Sequence, residues 1–487
     1  MLTKSNYIKY LQCKKALWLY KMKPKLMSEV DDSTQRVFDT GYKVESIAYE
    51  MFPNGVETAN DISQSIKETK ELLDKKTPVI FQATVSGGGL FCRSDIITYD
   101  DENDVWDIIE VKSSTGVSGV YIDDLSFQKA CFESLGYKVG KIFVIHINNK
   151  YIKNGKIVPE DFLTKTDVTE KVKVKTKETE KNIQKAFAVL KETKEPNVRV
   201  LRQCSNPYKC PFIDYCWKDF SKYSVYSIGG KLGAKKLDEL LDEGIEDVAD
   251  VPDTIIDNEK LLKYRNVVKN DEIYVDKKNI QKELEKIKYP IYFLDYETFG
   301  PAIPIFDGYK PFQRIVFQYS LHVQRTADSE LEHYEFLAKN ITDPTEDLAK
   351  SLQSQIGNEG TVVVWYKSFE KGCNNEMRER LEGFTEFFED VNGRIYDLMD
   401  IFAKGYYVHK DFKMSTSIKK VLPVIAPELD YATMDISEGM TASNSWGDTI
   451  TKDMSEDQKQ KIYNDLLKYC ELDTFAMVRI LEELNKI

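Results

Sequence analysis

Acidic residues that could hold divalent cations occur in two regions that lie far apart in the chain. In the first region Asp95 precedes Glu110 and Lys112, and in the second Asp295 and Glu297 are separated by one residue. Carboxylates bind Mg²⁺ or Mn²⁺, and such an ion activates water and neutralises the charge of a phosphate. A lysine ammonium beside them can stabilise the transition state of phosphodiester hydrolysis. Both patterns are common by chance, and the alternative for each is a set of solvated charges at a strand end.

The first region is predicted to form a β-hairpin. Apolar runs lie on both sides of the polar turn Asp100–Asp104, and such runs indicate two strands. Because side chains alternate across a strand, Glu110 and Lys112 share one face and Val111 lies on the other. Asp95, on the neighbouring strand, can lie beside them.

This region resembles the PD-(D/E)xK nucleases, whose core is restriction-endonuclease-like, and specifically the RecB-type branch that carries an iron–sulfur cluster. The resemblance implies that Asp95 is the first acid, that Glu110 and Lys112 are the E-x-K pair, and that Gln128 in the following helix lies beside the site. In Gly41-Tyr-Lys-Val-Glu45 a glutamate stands where the family has histidine. The metal positions that the resemblance implies are Glu45, Asp95, Glu110 and Val111.

Cysteines form a second kind of candidate site. Cys204, Cys210 and Cys216 are separated by five-residue gaps, and Cys13 lies near the N-terminus. Thiolates are soft ligands that suit iron–sulfur clusters or zinc, although structural zinc usually uses tighter Cys-x₂₋₄-Cys pairs. In the resembled family one N-terminal and three later cysteines hold a [4Fe–4S] cluster, so the resemblance implies a structural cluster here, with zinc as the alternative. The remaining cysteines, which lie in apolar surroundings, are predicted to be buried thiols: Cys92, Cys131, Cys373 and Cys470.

The second acidic region follows an apolar run typical of a buried strand. Alternation along that strand places Asp295 and Glu297 on the same face. Near the C-terminus, Ser455–Gln458 has the sequence of a capping box that begins a helix. On this helix Tyr469 and Asp473 are four residues apart and share a face. The alternative is an aromatic core position beside a surface acid.

These motifs resemble the DnaQ-like DEDD 3′–5′ exonucleases of the ribonuclease H-like fold. Asp295 and Glu297 match the first motif, and Tyr469 with Asp473 matches the third in its tyrosine form. The resemblance implies two ions about 3.5–4 Å apart that the acids hold together. Tyr469 would orient the attacking water, because the unperturbed pKa of a phenol is about 10.

The second DEDD motif is the least regular of the three. The segment Tyr366–Glu370 follows an apolar strand and offers Glu370 where the family has aspartate. Asp397 is the alternative. We favour Glu370 as the fourth acid, because an aspartate at the position of Asp397 usually supports the fold or the substrate in relatives.

The composition is that of a folded chain with several compact units. The chain has 487 residues, of which 42% are hydrophobic and 30% charged, and a formal net charge of −12. This length predicts two or three domains. Without a basic, apolar N-terminal signal or a run of about eighteen apolar residues, we expect a cytoplasmic protein that does not bind membranes. The acidic balance argues against a broad basic surface that coats nucleic acid, but a bound metal can invert the local field at a nuclease site.

Three zones are predicted. Residues 1–222 form an α/β nuclease core with the cysteine cluster, 223–288 a short helical connector, and 289–487 a second α/β domain with the ribonuclease H fold. In the connector, glycines that separate two short helical patterns at Ile228–Gly233 and Leu237–Ile245 indicate a helix-hairpin-helix-like module. A plain helical connector is an equal alternative.

The order of these parts resembles an uncharacterised bacterial family that joins an iron–sulfur RecB-type nuclease to a DEDD exonuclease-like domain. The implied function is metal-dependent trimming or degradation of DNA, exonucleolytic and at single-stranded or frayed ends. RNA is an alternative substrate, since nothing in the motifs distinguishes a 2′-hydroxyl. A protein that binds nucleic acid without cutting it is the alternative from another class. Protein partners are not indicated.

Overall fold

The computed structural model describes Met1–Leu429, Tyr431 and Met434–Ile487. The chain is mixed α/β and divides into two compact units, the first made of Met1–Asp219 with Pro301–Gln313 and the second of Phe220–Gly300 with Arg314–Ile487. None of the described helices is both long enough and apolar enough to cross a membrane.

The first unit is built on a seven-stranded sheet. Its strands are β1 (Leu2–Thr3), β2 (Val56–Glu57), β3 (Val79–Gly87), β4 (Leu90–Asp100), β5 (Val105–Lys112), β6 (Val139–Ile147) and β7 (Leu163–Asp167). Six follow the order β2-β3-β4-β5-β6-β7, and β1 pairs with β4. The helices are α1 (Lys4–Gln12), α2 (Lys14–Met22), α3 (Asp32–Tyr49), α4 (Ile62–Asp74), α5 (Gly119–Ser134), α6 (Pro159–Phe162), α7 (Thr169–Lys191) and α8 (Ile213–Trp217).

The predicted hairpin is present as β4 and β5, which pair antiparallel with Ile96 opposite Ile109. Both faces of the sheet are covered. Ile108 packs in a core with residues of α1, α2, α5 and α7, whereas Val111 packs with Val44 of α3 on the opposite face. Since Glu110 and Ile108 have the same parity on the strand, Glu110 points toward the α5 side.

The second unit begins with short helices and contains a five-stranded sheet. The helices before it are α9 (Gly229–Leu232), α10 (Ala234–Asp242), α11 (Glu259–Asn270) and α12 (Lys277–Leu284). The sheet strands are β9 (Ile291–Phe299), β10 (Ile315–Gln324), β11 (Leu331–Leu337), β12 (Thr361–Val364) and β13 (Ile395–Asp397), and β8 (Tyr274–Val275) pairs with β14 (Tyr407–Val408) in a separate ribbon. The remaining helices are α13 (Thr345–Gln355), α14 (Lys367–Arg380), α15 (Thr385–Gly393), α16 (Met399–Ala403), α17 (Ile418–Ile425), α18 (Gly439–Thr451) and α19 (Glu456–Asn485).

The sheet order is β11-β10-β9-β12-β13, with β9 antiparallel to β10 and parallel to β12. Tyr292 and Leu294 of β9 pack in an apolar core with α13, α14 and α15. The opposite face lies under α19, which packs against β9 and β10. The capping box predicted at the start of α19 is present, with Ser455 and Gln458 bonded reciprocally. This helix therefore covers the sheet face that carries Asp295 and Glu297.

Candidate metal centres and cysteine cluster

In the first unit, β4, β5 and α5 bring four predicted residues together. Lys112 Nζ lies 2.5 Å from Glu110 Oε1, and Gln128 Nε2 donates to Glu110 Oε2 at 2.6 Å. Asp95 Oδ2 accepts the backbone N–H of Val111 at 2.7 Å. Only 1% of Glu110 is exposed. The acids and the lysine thus meet on one sheet face, while Val111 contributes its backbone N–H and turns its side chain to the other core.

Two further charged residues belong to this group. Lys4 Nζ lies 2.9 Å from Glu110 Oε1 and 3.7 Å from Asp124 Oδ2, and Lys112 Nζ lies 3.5 Å from the same Asp124 oxygen. Gln128 Nε2 also donates to Asp124 Oδ1 at 3.1 Å. Sequence reasoning missed both residues. The four-residue spacing of Asp124 and Gln128 on one helix was an available signal for Asp124, whereas Lys4 belongs to no motif.

The charges in this group give its two central acids opposite behaviour. Burial, together with the charge of Glu110, raises the pKa of Asp95 to about 8. Burial would also raise the pKa of Glu110, but the ammonium groups of Lys112 and Lys4 outweigh burial and hold that pKa well below its usual range. The surroundings therefore favour the ionised form of Glu110 and the protonated form of Asp95.

Glu45 approaches the same group from α3. Its Oε1 accepts a hydrogen bond from Tyr49 Oη at 2.5 Å and another from Gln82 Nε2. Burial raises the pKa of Glu45, and the charge of Glu110 adds to this effect. Glu45 is therefore within electrostatic range of Glu110, with one carboxylate oxygen committed to protein hydrogen bonds.

The four cysteines predicted to bind a cluster line a single cavity in the first unit. Cys13 lies between α1 and α2, Cys204 and Cys210 lie between α7 and α8, and Cys216 is on α8. All four are free thiols. Burial raises the pKa of Cys210 to about 11, and the other three thiols contribute to the increase. Four thiols around one cavity have the chemistry to hold a soft metal centre, either an iron–sulfur cluster or zinc.

Protein contacts also connect the early helices to the cysteine loop. Gln12 Nε2 donates to the carbonyl oxygens of Gln203 and Tyr208, each at 2.6 Å. The N–H of Ser28 donates to the carbonyl oxygen of Pro211 at 2.8 Å. The other cysteines are buried, as predicted: Cys92, Cys131, Cys373 and Cys470.

In the second unit, three predicted acids form a compact group. Asp295 and Glu297 of β9 and Asp473 of α19 each place one carboxylate oxygen within 4.8 Å of the others. Burial raises the pKa of Asp295 and Glu297 well above the usual range, and the neighbouring acids add to the increase. Burial also raises the pKa of Asp473, to about 6. Like charges at this separation favour a bound divalent cation.

The structure gives the two candidates for the fourth acid different surroundings. Glu370, on the first turn of α14, is buried, and its Oε2 makes no hydrogen bond within the described residues. Burial raises its pKa well above the usual range, with Asp295 and Glu297 as the largest charge contributions. Asp397, in contrast, accepts the N–H groups of Tyr366, Lys367 and Met399 at 2.8–3.2 Å. Glu370 is thus a buried carboxyl group influenced by the charges of Asp295 and Glu297, whereas Asp397 holds the backbone at the start of α14.

Aromatic and basic side chains surround Asp473. Tyr431 Oη donates to Asp473 Oδ1 at 2.6 Å. Tyr469 is 3% exposed, and burial with the neighbouring acids raises its pKa well above 10. Lys419 Nζ lies 5.0 Å from the ring centroid of Tyr469. Tyr431 and Lys419 were not identified from the sequence, because they lie outside the three motifs.

Comparison with known proteins gives partial matches to proteins without assigned activity. Residues 292–417 match a domain of unknown function, DUF2779. The uncharacterized protein MG366 of Mycoplasma genitalium is 30% identical over 223 residues, which is 42% of this chain, and its Mycoplasma pneumoniae homologue is 27% identical over 213 residues, which is 40%. Each alignment covers 32% of the relative, so the chain spans about a third of the length of these curated proteins. The DUF2779 match includes Asp295, Glu297 and Glu370 and ends before Asp473.

The two candidates for the fourth acid can be separated by stability. We expect Glu370→Gln to leave the metal-free protein at least as stable as wild type, because the change removes a buried carboxyl group from a cluster of acids. Asp397→Ala should cost about 1–3 kcal/mol, since three N–H groups lose their acceptor. Thermal and urea unfolding of both variants in a chelator measure the difference. An equal loss of stability in the two would contradict these roles.

The cysteine site makes a second prediction. We predict that the purified full chain contains iron and acid-labile sulfide, and that Cys216→Ala removes most of both and lowers the unfolding temperature, because metal binding is coupled to folding. Cys131→Ala, a buried thiol outside the cavity, is the matched control and should keep the metal. Elemental analysis and visible absorbance are the measurements. A colourless protein that contains zinc would show that the cysteines bind zinc instead of an iron–sulfur cluster.

Proposed function

We propose that this chain is a metal-dependent nuclease with two phosphodiesterase centres, one in each unit. It would trim or degrade DNA, as an exonuclease on single-stranded or frayed ends. In this proposal the first unit has a RecB-type PD-(D/E)xK core held by a [4Fe–4S] cluster, and the second has a DEDD exonuclease core of the ribonuclease H-like fold. The order of acids, lysine and cysteines along the chain supports it.

The observation that carries the proposal is the buried acid group of the second unit. Asp295, Glu297 and Asp473 come from two elements and converge within 4.8 Å, and the buried Glu370 of α14 lies outside that group but within the range of their charges. Burying several carboxyl groups together is costly unless a cation compensates them. The cation that lowers the pKa values of Asp295, Glu297 and Asp473 is Lys419, which lies over Tyr469. For Glu370 it is Arg314. A site for divalent ions explains this arrangement.

The proposal assigns a role to each acid of the second centre and to Tyr469. Asp295, Glu297, Glu370 and Asp473 would hold Mg²⁺ or Mn²⁺, which supplies a nucleophilic water and offsets charge on the phosphate. Tyr469 keeps its proton at neutral pH because its pKa is raised. Its hydroxyl hydrogen-bonds Asp473, and from there it would help to orient the water rather than act as a base.

The first centre differs from the second because two lysine ammonium groups lie beside its acids. Asp95 and Glu110 would hold the ion, with Glu45 as a third acid in range. The side chain of Lys112 is 24% exposed, and Lys112 and Lys4 both form ion pairs with Glu110. The ammonium of Lys112 can therefore turn toward a phosphate while Lys4 stays paired with Glu110. Gln128 fixes the orientation of Glu110 through its amide N–H. This arrangement supports transition-state stabilisation by Lys112.

The two centres can be tested separately. We expect Lys112→Ala to remove one cleavage activity and Asp295→Asn the other, each by about 10²-fold or more, because each removes a charged group that acts on the reacting phosphate. The double variant and chelated wild type should both be inactive. The assay uses DNA and RNA strands labelled at either end, with Mg²⁺ or Mn²⁺.

Lys14→Ala and Asp101→Asn, at exposed positions, are the matched controls and should cleave like wild type. Cleavage by the double variant at the wild-type rate would show that the activity arises elsewhere. Binding of the labelled strands without any cleavage by wild type would favour the non-catalytic alternative. Preferential cleavage of RNA would change the substrate class only.

A further inference from the structure

Two histidines and a glutamate form a separate group at the edge of the second unit's sheet. His322 of β10 and His333 of β11 lie directly opposite each other, with ring centroids 4.4 Å apart. Glu471 of α19 lies over them, and its Oε1 is 3.9 Å from His333 Nδ1. One ligand atom from each of the three side chains lies within 4.8 Å of the others. The side chains of His333 and Glu471 are 24% and 50% exposed, so the group is open to solvent.

Hydroxyl groups behind the histidines fix the orientation of both rings. His322 Nδ1 lies 2.8 Å from Thr474 Oγ1, and His333 Nε2 lies 3.0 Å from Ser320 Oγ. Ser320 and Thr474 are themselves 2.7 Å apart, and Thr474 Oγ1 lies 3.0 Å from the carbonyl oxygen of Glu471. If Thr474 donates to that carbonyl and Ser320 donates to Thr474, both ring nitrogens must donate N–H. This arrangement leaves Nε2 of His322 and Nδ1 of His333 with free lone pairs.

We propose that His322, His333 and Glu471 bind a divalent transition-metal ion of the Zn²⁺ class. Two imidazoles and one carboxylate suit Zn²⁺, Cu²⁺, Fe²⁺ or Ni²⁺, whereas Mg²⁺ and Mn²⁺ prefer the oxygen ligands of the acid group. Histidine ligands usually donate their second ring N–H to a protein group, as Thr474 and Ser320 permit here. This site is distinct from the proposed nuclease centres in both ligands and metal class.

The geometry needs only a modest adjustment. Ligand atoms at about 2.0–2.2 Å from one zinc ion lie roughly 3.4 Å apart in a tetrahedral site. The ligand atoms therefore have to approach by up to about 1.4 Å. The half-exposed side chain of Glu471 can supply its part of that movement. Three protein ligands leave a fourth position that faces solvent. Bound metal would join the edge strand β11 to α19, the helix that carries Tyr469 and Asp473.

The test measures metal binding by the full chain, without any nuclease assay. Zn²⁺ is titrated by calorimetry into protein whose cysteine site is loaded as purified, in saturating Mg²⁺ to occupy the carboxylate centre. We expect one equivalent of Zn²⁺ to bind wild type, and His333→Gln and Glu471→Gln to weaken this binding by more than about tenfold. Thr474→Val should weaken it by about tenfold, since partners of metal ligands contribute on that scale. His409→Gln, at a histidine outside the group, is the control and should bind like wild type.

Co²⁺ gives a second measurement that does not depend on the variants' folding. Wild type should show the visible bands of a nitrogen and oxygen site, without the thiolate charge-transfer band that Co²⁺ at the cysteines would produce. Absence of such bands from wild type would overturn the proposal, as would unchanged Zn²⁺ binding in His333→Gln and Glu471→Gln. Neither result bears on the two nuclease centres, which are tested by cleavage.

Discussion

The second unit depends on burying like-charged carboxyl groups between a sheet and a helix. Strand alternation forces Asp295 and Glu297 onto the same face of β9, and α19 packs against that face. The helix brings Asp473 toward the two acids, together with the apolar side chains that the sheet requires. The packing of α19 on β9 therefore also brings the carboxyl groups of Asp295, Glu297 and Asp473 together. The raised pKa values of Asp295 and Glu297 reflect this burial and repulsion, which a divalent cation would compensate.

The first unit compensates a buried carboxyl group with its own side chains. Glu110 is more buried than Asp295, Glu297 or Asp473, yet two ammonium groups favour its ionised form. A divalent ion would compete there with Lys4 and Lys112, whereas in the second unit it would compete mainly with protons. We therefore expect metal binding to depend on different groups in the two units. In the first unit, the ammonium groups of Lys4 and Lys112 would limit the affinity of Glu110 for a divalent ion. In the second unit, the protons on Asp295 and Glu297 would limit the affinity of these acids.

Local spacing in the sequence predicted the elements and much of each site. The polar turn predicted the β4–β5 hairpin, the Ser455–Gln458 capping box predicted the start of α19, and four-residue spacing placed Tyr469 beside Asp473. These features depend on residues that are close in the chain.

The site residues that the sequence did not predict are brought together by tertiary packing between segments far apart in the chain. Lys4 meets Glu110 across more than a hundred residues, and Tyr431 meets Asp473 from outside every motif. His322 and His333 face each other only because β10 and β11 pair in one register. A shift of one residue would turn one of the two histidines to the other face, so no single-strand pattern could reveal the pair.

The cysteine cavity and the first acid group are connected through one short helix. Lys4 begins α1, and Cys13 directly follows its last residue, Gln12. The side chain of Gln12 bonds the loop that carries Cys204 and Cys210, so the position of α1 is set at its cysteine end. Because a helix of nine residues is stiff, fixing Cys13 also fixes where Lys4 meets Glu110. On the proposal that the cysteines bind a metal, its loss would disturb the charge balance at Glu110 without any direct contact between the two sites.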